Sequence, residues 1–196
     1  MLKDSLSLRR SIYALDADTV LSDEDIIKQV EQCIKHCPTA FNSQSARVVI
    51  LFAEKHKQFW QMVKAAIEKV SPSDRLEAAV KRLNNFANGK GTILFFEDQA
   101  VLTQMQQKFA LYAKSMWDWN QQSNAILQYM IWQVLAENNI GASLQHYGNL
   151  VEDELYKQFN LPQTWKIMAQ MPFGKIKEPA TEKTFEPLEN RLKVLW

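Results

Sequence analysis

Three groups of polar side chains, far apart along the chain, carry functional groups suited to binding or chemistry. The first is Arg9-Arg10-Ser11. Two guanidinium forks match phosphate oxygens bidentately, and the neighbouring hydroxyl adds a donor, so the triplet can hold a phosphate. Taken alone, an Arg-Arg pair is usually a solvated face. The second is Pro38-Thr39-Ala40-Phe41-Asn42-Ser43-Gln44-Ser45. Asn42 and Gln44 each offer an acceptor and a two-proton donor, which suits the alternating edge of a heterocycle. The same residues also build ordinary turns by bonding their own backbone. The third is Gln145-His146-Tyr147, polar residues in an otherwise apolar connector. Cys33, His36 and Cys37 fall within about one helical turn and have metal-ligating side chains. Both cysteines also lie on an apolar face, where a thiol behaves as a small hydrophobe, and the core reading is preferred. The chain has no G-x-G-x-x-G, Walker A, G-x-S-x-G or H-E-x-x-H motif.

These groups sit at the ends of elements that the pattern of residues predicts. A short helical segment with Leu6 and Leu8 precedes the arginine pair. Ser22 can cap a helix whose first turn holds Asp23, Glu24 and Asp25 and which Pro38 stops. Arg47 to Phe52 reads as a buried strand, and Thr92 to Phe96 as a second. Between them come a helix over about His56 to Val70 and one opened by Ser71-Pro72-Ser73-Asp74, with proline at its first position. Gln99 to about Ala113 reads as helix. The longest element is expected over Trp117 to Asn139, ending at Gly141 as a left-handed stop. Its apolar stripe, Ile126, Leu127, Met130, Ile131, Val134 and Leu135, is wide enough to predict burial of both flanks. Ala142 to Tyr147 is a short strand or connector, Val151 to Phe159 a helix and Trp165 to Met171 a strand. The charged tail ends in Leu192-Lys193-Val194-Leu195-Trp196, an apolar strand that packs on its own domain or adds to a partner's sheet. Alternating helices and strands predict three layers, with helices on both faces of a central sheet.

Composition narrows the function classes. The chain has 196 residues, 46% hydrophobic and 23% charged, which excludes disorder as the main state. Its formal net charge of +1 leaves no electrostatic footprint for nucleic acid. No apolar run reaches a membrane span and no secretory h-region is present, so the expectation is a cytoplasmic protein acting on neither nucleic acid nor membrane. Two cysteines are too few to staple a secreted scaffold.

Taken in order, the segments RRSIYAL (9–15), PTAFNSQSARVVILF (38–52), GASLQHYGNL (141–150) and FEPLENRLKVL (185–195) resemble the flavin-dependent nitroreductase family, in its fatty-acid-repression-type subgroup. The resemblance implies an α+β fold: a three-layer α/β/α sandwich with a central mixed sheet, binding FMN non-covalently at a homodimer interface. It implies one domain over 1–174 and a C-terminal arm over 175–196 exchanged onto the partner. By resemblance, Arg9, Arg10 and Ser11 hold the FMN phosphate and ribityl chain, with Lys183 as a further phosphate cation and Arg191 as its fallback. Asn42 and Gln44 meet the ring's pyrimidine edge. Gln145, His146 and Tyr147 lie over the rest of the ring, where backbone N–H groups can reach N5. Tyr13 is expected at the cofactor, at a position where many relatives carry Lys or Arg. Such a cation would steady the charge that the reduced ring develops, and Arg47 at the strand start is the candidate replacement. Ser45 stands where the wider family often has proline. The implied activity is NAD(P)H-dependent, ping-pong reduction of nitroaromatics, quinones or similar small planar acceptors. Phe41, Trp117 and Trp119 are available for stacking on them, or for packing. The alternative is a flavin-binding, lipid- or stress-responsive regulatory dimer with little turnover. A flavin-free structural relative is the third reading, and the retained Arg9, Ser11, Asn42 and Gln44 speak against it.

Overall fold

The computed structural model describes residues 2–196, with side chains from residue 5 onward. Helix α1 covers Leu2–Leu8, with Leu6 and Leu8 exposed. Helix α2, Asp23–His36, begins where its cap predicts: the Ser22 side chain accepts from the Asp25 N–H, at the end bearing three acids. Strand β1 is the short Leu15–Asp16, β2 is Ala46–Phe52, β3 is Gly91–Asp98, β4 is Ile140–Ala142 and β5 is Trp165–Ile176. The remaining helices are α3 (Ala53–Val70), α4 (Ser73–Ala87), α5 (Gln99–Lys108), α6 (Met116–Glu137) and α7 (Gly148–Phe159).

The strands form one sheet in the order β1-β5-β3-β2, with β4 also on β5. Every ladder between these strands is antiparallel, and the parallel component is one bridge, Ser11 to Ala142. Strand β3 is buried along its whole length, and its side chains alternate between two cores. Ile93 and Phe95 face α2 and α6, whose Ile26, Val30, Leu127 and Ile131 fill that side. Leu94 and Phe96 face α3, α4 and α7, packing with Phe59, Trp60, Leu83, Phe86 and Leu155. Helical layers therefore cover both faces, as the alternation predicts. Cys33 belongs to the first core, and burial pushes its thiol pKa up to about 11.

Several local expectations give way to tertiary effects. Pro72 is the N-cap of α4 rather than its first helical residue, and it supplies no side-chain cap. The helix expected to reach Ala113 ends at Lys108 and gives way to a 3₁₀ segment over Ala110–Ser115. Asn139, at φ 55°, takes the left-handed position after α6. Gly141 sits instead in β4, where an added Cβ would lie 2.9 Å from both Ile12 and Ile176. Among the described residues one flank of α6 is left uncovered: Ile126 and Tyr129 are exposed. The tail is no strand. Past β5, which runs two residues beyond the expected boundary at 174, it holds one 3₁₀ turn at Leu188–Asn190. Leu192, Val194, Leu195 and Trp196 remain exposed.

Candidate functional site

The N-terminal cations are gathered by the packing of the segment after α1. Ile12 N–H donates to Ala142 at 2.9 Å beside the Ser11 bridge, so residues 9–12 run alongside β4. Trp132 of α6 donates to the same Ala142 carbonyl at 3.2 Å, and the Arg9 guanidinium lies 4.3 Å from the Trp132 ring centre. Arg10 donates to the Thr181 carbonyl, which draws the tail back across this region. The result is a cleft of about 440 Å³ lined by Leu6, Ser7, Arg9, Arg10, Glu182, Lys183 and Phe185. Three cations expected at one phosphate, separated by more than 170 positions in sequence, share one cavity. Arg191 is exposed in the tail and does not line it.

The amide loop is backbone-strained. Phe41, Asn42 and Gln44 all have positive φ, 51°, 53° and 48°, with no glycine among them. Such conformations cost roughly 1–2 kcal/mol per L-residue and persist only where surroundings enforce them. Here the enforcement is visible. Gln44 N–H donates to Thr39 Oγ1 at 3.2 Å, and Ala40 N–H donates to Ser123 Oγ of α6 at 3.2 Å. The Phe41 ring stacks on Phe109 at 4.3 Å and leans on Tyr112 and Trp119. Asn42 and Gln44 are left exposed. Arg47 does not reach outward as a free cation. Its guanidinium pairs with Asp98 at 3.0 Å and donates to the Gln44 carbonyl at 2.8 Å, buttressing the loop. Trp117 lies apart from the aromatic cluster, under the Lys166 ammonium.

The connector is held more tightly than the sequence suggests. Gln145 exchanges backbone hydrogen bonds with Gln170, and its buried side chain donates to Ser143. Tyr147 N–H donates to the Gln170 side chain at 2.6 Å. That leaves His146, exposed and making no hydrogen bond among the described residues, as the residue of this segment open to a ligand.

Tyr13 and Tyr147 are brought to a residue that sequence reasoning missed. Arg82 of α4 stands 5.4 Å from the Tyr13 ring centre. It also lies beside the Tyr147 hydroxyl, whose pKa burial raises and Arg82 holds back. The Tyr147 ring meets Trp60 edge-on at 6.0 Å. No local signal marks Arg82, since a cation in an amphipathic helix is ordinarily surface.

The groups divide along α6. The amide loop docks on Trp119, Asn120 and Ser123, whereas the cationic cleft is anchored through Trp132. At 1.5 Å per residue these anchors are about 18 Å apart along the helix axis. Asn42 and Gln44 are not among the residues lining the cleft of Arg9, Arg10 and Lys183.

An antiparallel sheet between two helical layers, with a cationic cleft beside β4 and a strained amide loop on the long central helix, defines an α+β sandwich. The chain belongs to the nitroreductase family, whose model matches residues 6–175. It is 34% identical to the putative nitroreductase HBN1 of Saccharomyces cerevisiae, over 92% of this chain and 91% of that protein. The nitroreductase CinD from Lactococcus lactis, solved in complex with chloramphenicol, has a TM-score of 0.91 and 38% identity over 100% of both chains. A Desulfitobacterium hafniense nitroreductase solved with bound FMN shares the fold, at a TM-score of 0.71 and 14% identity.

Proposed function

We propose that the protein is an FMN-dependent oxidoreductase that accepts hydride from NAD(P)H and reduces nitroaromatics, quinones or similar flat compounds by a ping-pong mechanism. The observation that carries this reading is the convergence of Arg9, Arg10 and Lys183 on one cleft. A dianionic phosphate fits that donor set, since several charge-assisted contacts offset its desolvation. FMN, when bound, supplies the ring that takes up hydride and passes it on, so the protein needs no acid–base dyad of its own.

The chain's residues then have distinct tasks. Arg9, Arg10 and Lys183 hold the phosphate, and Ser11 donates beside them. Asn42 and Gln44 present amides to the pyrimidine edge. Arg82, rather than Arg47, supplies the positive charge near Tyr13. With the Gln145 and Tyr147 N–H groups used internally, contact over the ring falls to His146. The aromatic cluster of Phe41, Tyr112 and Trp119 offers a flat acceptor a stacking surface.

The separation of the two groups along α6 supports a homodimer, in which the amide loop of one protomer completes the cleft of the other. The uncovered Ile126 and Tyr129 and the exposed apolar tail supply surface for it. CinD has been solved in complex with nicotinic acid and with 4-nitrophenol, small flat rings of the ligand class proposed for this slot.

The test is the visible spectrum of the purified protein, recorded anaerobically before and after NADH and NADPH. A yellow protein bleached by either nucleotide is the expected result, and it names the donor. A yellow protein that neither nucleotide bleaches would replace the enzyme with the flavin-binding regulatory dimer. Colourless protein that refuses added FMN would overturn both.

A further inference from the structure

Outside the residues with proposed ligand contacts, the least expected chemistry lies on the inner face of α6. Asn120, Ser123, Asn124 and Gln128 are all buried there, and Asn120 and Asn124 have no exposed surface at all. Spaced three and four apart, they form one polar stripe where a core helix ordinarily carries aliphatic residues. Opposite them is Glu97 of β3, a carboxyl with 1% exposure. Burial raises its pKa, against the steadying effects of Ser45, Asn124 and Arg47.

Two separate sets of contacts join α6 to the sheet and α6 to the amide loop. Asn124 Nδ2 donates to Glu97 Oε1 at 2.8 Å and to the Phe96 carbonyl at 3.0 Å. Gln128 Nε2 donates to Asn124 Oδ1 at 2.7 Å, which fixes the orientation of the Asn124 amide. One turn back along the helix, Asn120 Oδ1 accepts from Ser43 Oγ, inside the left-handed loop. Glu97 is also paired in register with Ala46, and the next residue, Asp98, donates its N–H to the Ser45 carbonyl. Glu97 is therefore tied to α6 by its carboxyl and to the end of the loop by its strand. Three further polar atoms here, Glu97 Oε2, Ser45 Oγ and Asn120 Nδ2, make no hydrogen bond among the described residues. Ser45, the residue after Gln44, lies beside the Glu97 carboxyl.

An apolar stripe would pack as stably as this one. What hydrogen bonds add is direction, and the loop they reach is the one with three non-glycine residues at positive φ. We propose that Glu97 is a positioning residue which, by fixing Asn124 and so the seat of α6 on the sheet, keeps Asn120 against Ser43 and the Phe41–Gln44 loop in the conformation that presents Asn42 and Gln44 to FMN. This rests on the flavin reading above. Glu97 touches no substrate or cofactor in this role; its effect is on the geometry of the loop.

The experiment is FMN titration of the protein after dialysis removes bound cofactor, read by flavin fluorescence and by the shape of the visible band. Wild type is compared with Glu97→Leu, Glu97→Gln and Asn120→Leu, each checked for a cooperative thermal transition. Both leucine variants are expected to bind FMN about tenfold or more weakly, the loss that follows from removing one buried hydrogen-bond partner. Their visible bands should also lose fine structure. Glu97→Gln, which keeps the acceptor facing Asn124, should restore binding to near the wild-type value. That rescue separates loop geometry from mere loss of charge. A folded Glu97→Leu protein with wild-type affinity and spectrum overturns the proposal. If that variant does not fold, wild-type binding by Asn120→Leu overturns it equally. Wild-type protein that binds no FMN overturns the flavin reading itself, and this proposal with it.

Discussion

Acid should cost this protein a definable amount of stability through His56. The ring is 1% exposed, between α3 and the start of β3. Its Nε2 lies 3.2 Å from the Ala87 carbonyl, which can only accept, so Nε2 carries the proton. Nδ1 then accepts from the Thr92 hydroxyl at 2.8 Å, and that hydroxyl accepts in turn from Trp60 Nε1 at 2.8 Å. Protonating Nδ1 would set two donors against Thr92 in a site closed to water. Burial accordingly lowers the imidazole pKa from 6.5 to about 4. The unfolded chain takes up the proton first as pH falls, so stability declines from about pH 6.5 and levels off below about 4. At about 1.4 kcal/mol per pH unit, the full loss is about 3 kcal/mol, of which about 2.5 kcal/mol is gone by pH 4.5. The assay is urea unfolding at pH 7.5 and pH 4.5, at fixed protein concentration, for wild type and His56→Gln. Other titrating groups cancel in the comparison. The variant should be the less stable at pH 7.5, and its deficit should shrink by about 2.5 kcal/mol at pH 4.5. Equal pH dependence in the two proteins would refute the reasoning.

Three further outcomes follow from the same geometry. Ala53, the first residue of α3, has φ 45°, so Ala53→Gly should raise unfolding stability by about 0.5–1 kcal/mol, the left-handed cost less glycine's entropy. Denaturant midpoints at constant m check it, and an unchanged or lower midpoint would count against that strain. Arg9→Met should weaken FMN binding by about 10- to 100-fold, as expected for one charge-assisted contact, in fluorescence titration. Deleting residues 185–196 should shift the protein toward monomer in sedimentation or light scattering at micromolar concentration. A truncated chain that remains as dimeric as wild type would show that α6 alone carries the interface.

What could be read without the structure was local. Ser22, its three following acids and Pro38 bound α2 because caps and breakers act over a few residues. The strands Arg47–Phe52 and Thr92–Phe96 were legible as apolar runs and Arg9-Arg10-Ser11 as a candidate anion site, whereas Lys183 entered only through the family resemblance. The boundary of α5, the role of Gly141 and the fate of the tail were not. Each depends on what approaches the segment from elsewhere: Ile12 and Ile176 against Gly141, and Arg10 against the tail at Thr181.

The site divides along the same line. Which residue types could hold a phosphate, or pair with a heterocycle, was determined by the sequence, because functional groups travel with the residue. Their grouping was decided by tertiary structure. Arg82 joins Tyr13 and Tyr147 only because α4 packs beside β1, and Arg47 is withdrawn from the site by Asp98. Phe41 and Gln44 give no local hint of positive φ, since such residues alone would avoid it. The conformation is enforced from elsewhere in the fold, by Asn120 and Ser123 of α6 at Ser43 and Ala40 and by the Phe109 ring against Phe41. A stripe of Asn, Ser and Gln in a helix ordinarily signifies solvent; only the packing of β3 against α6 turns it into an internal scaffold.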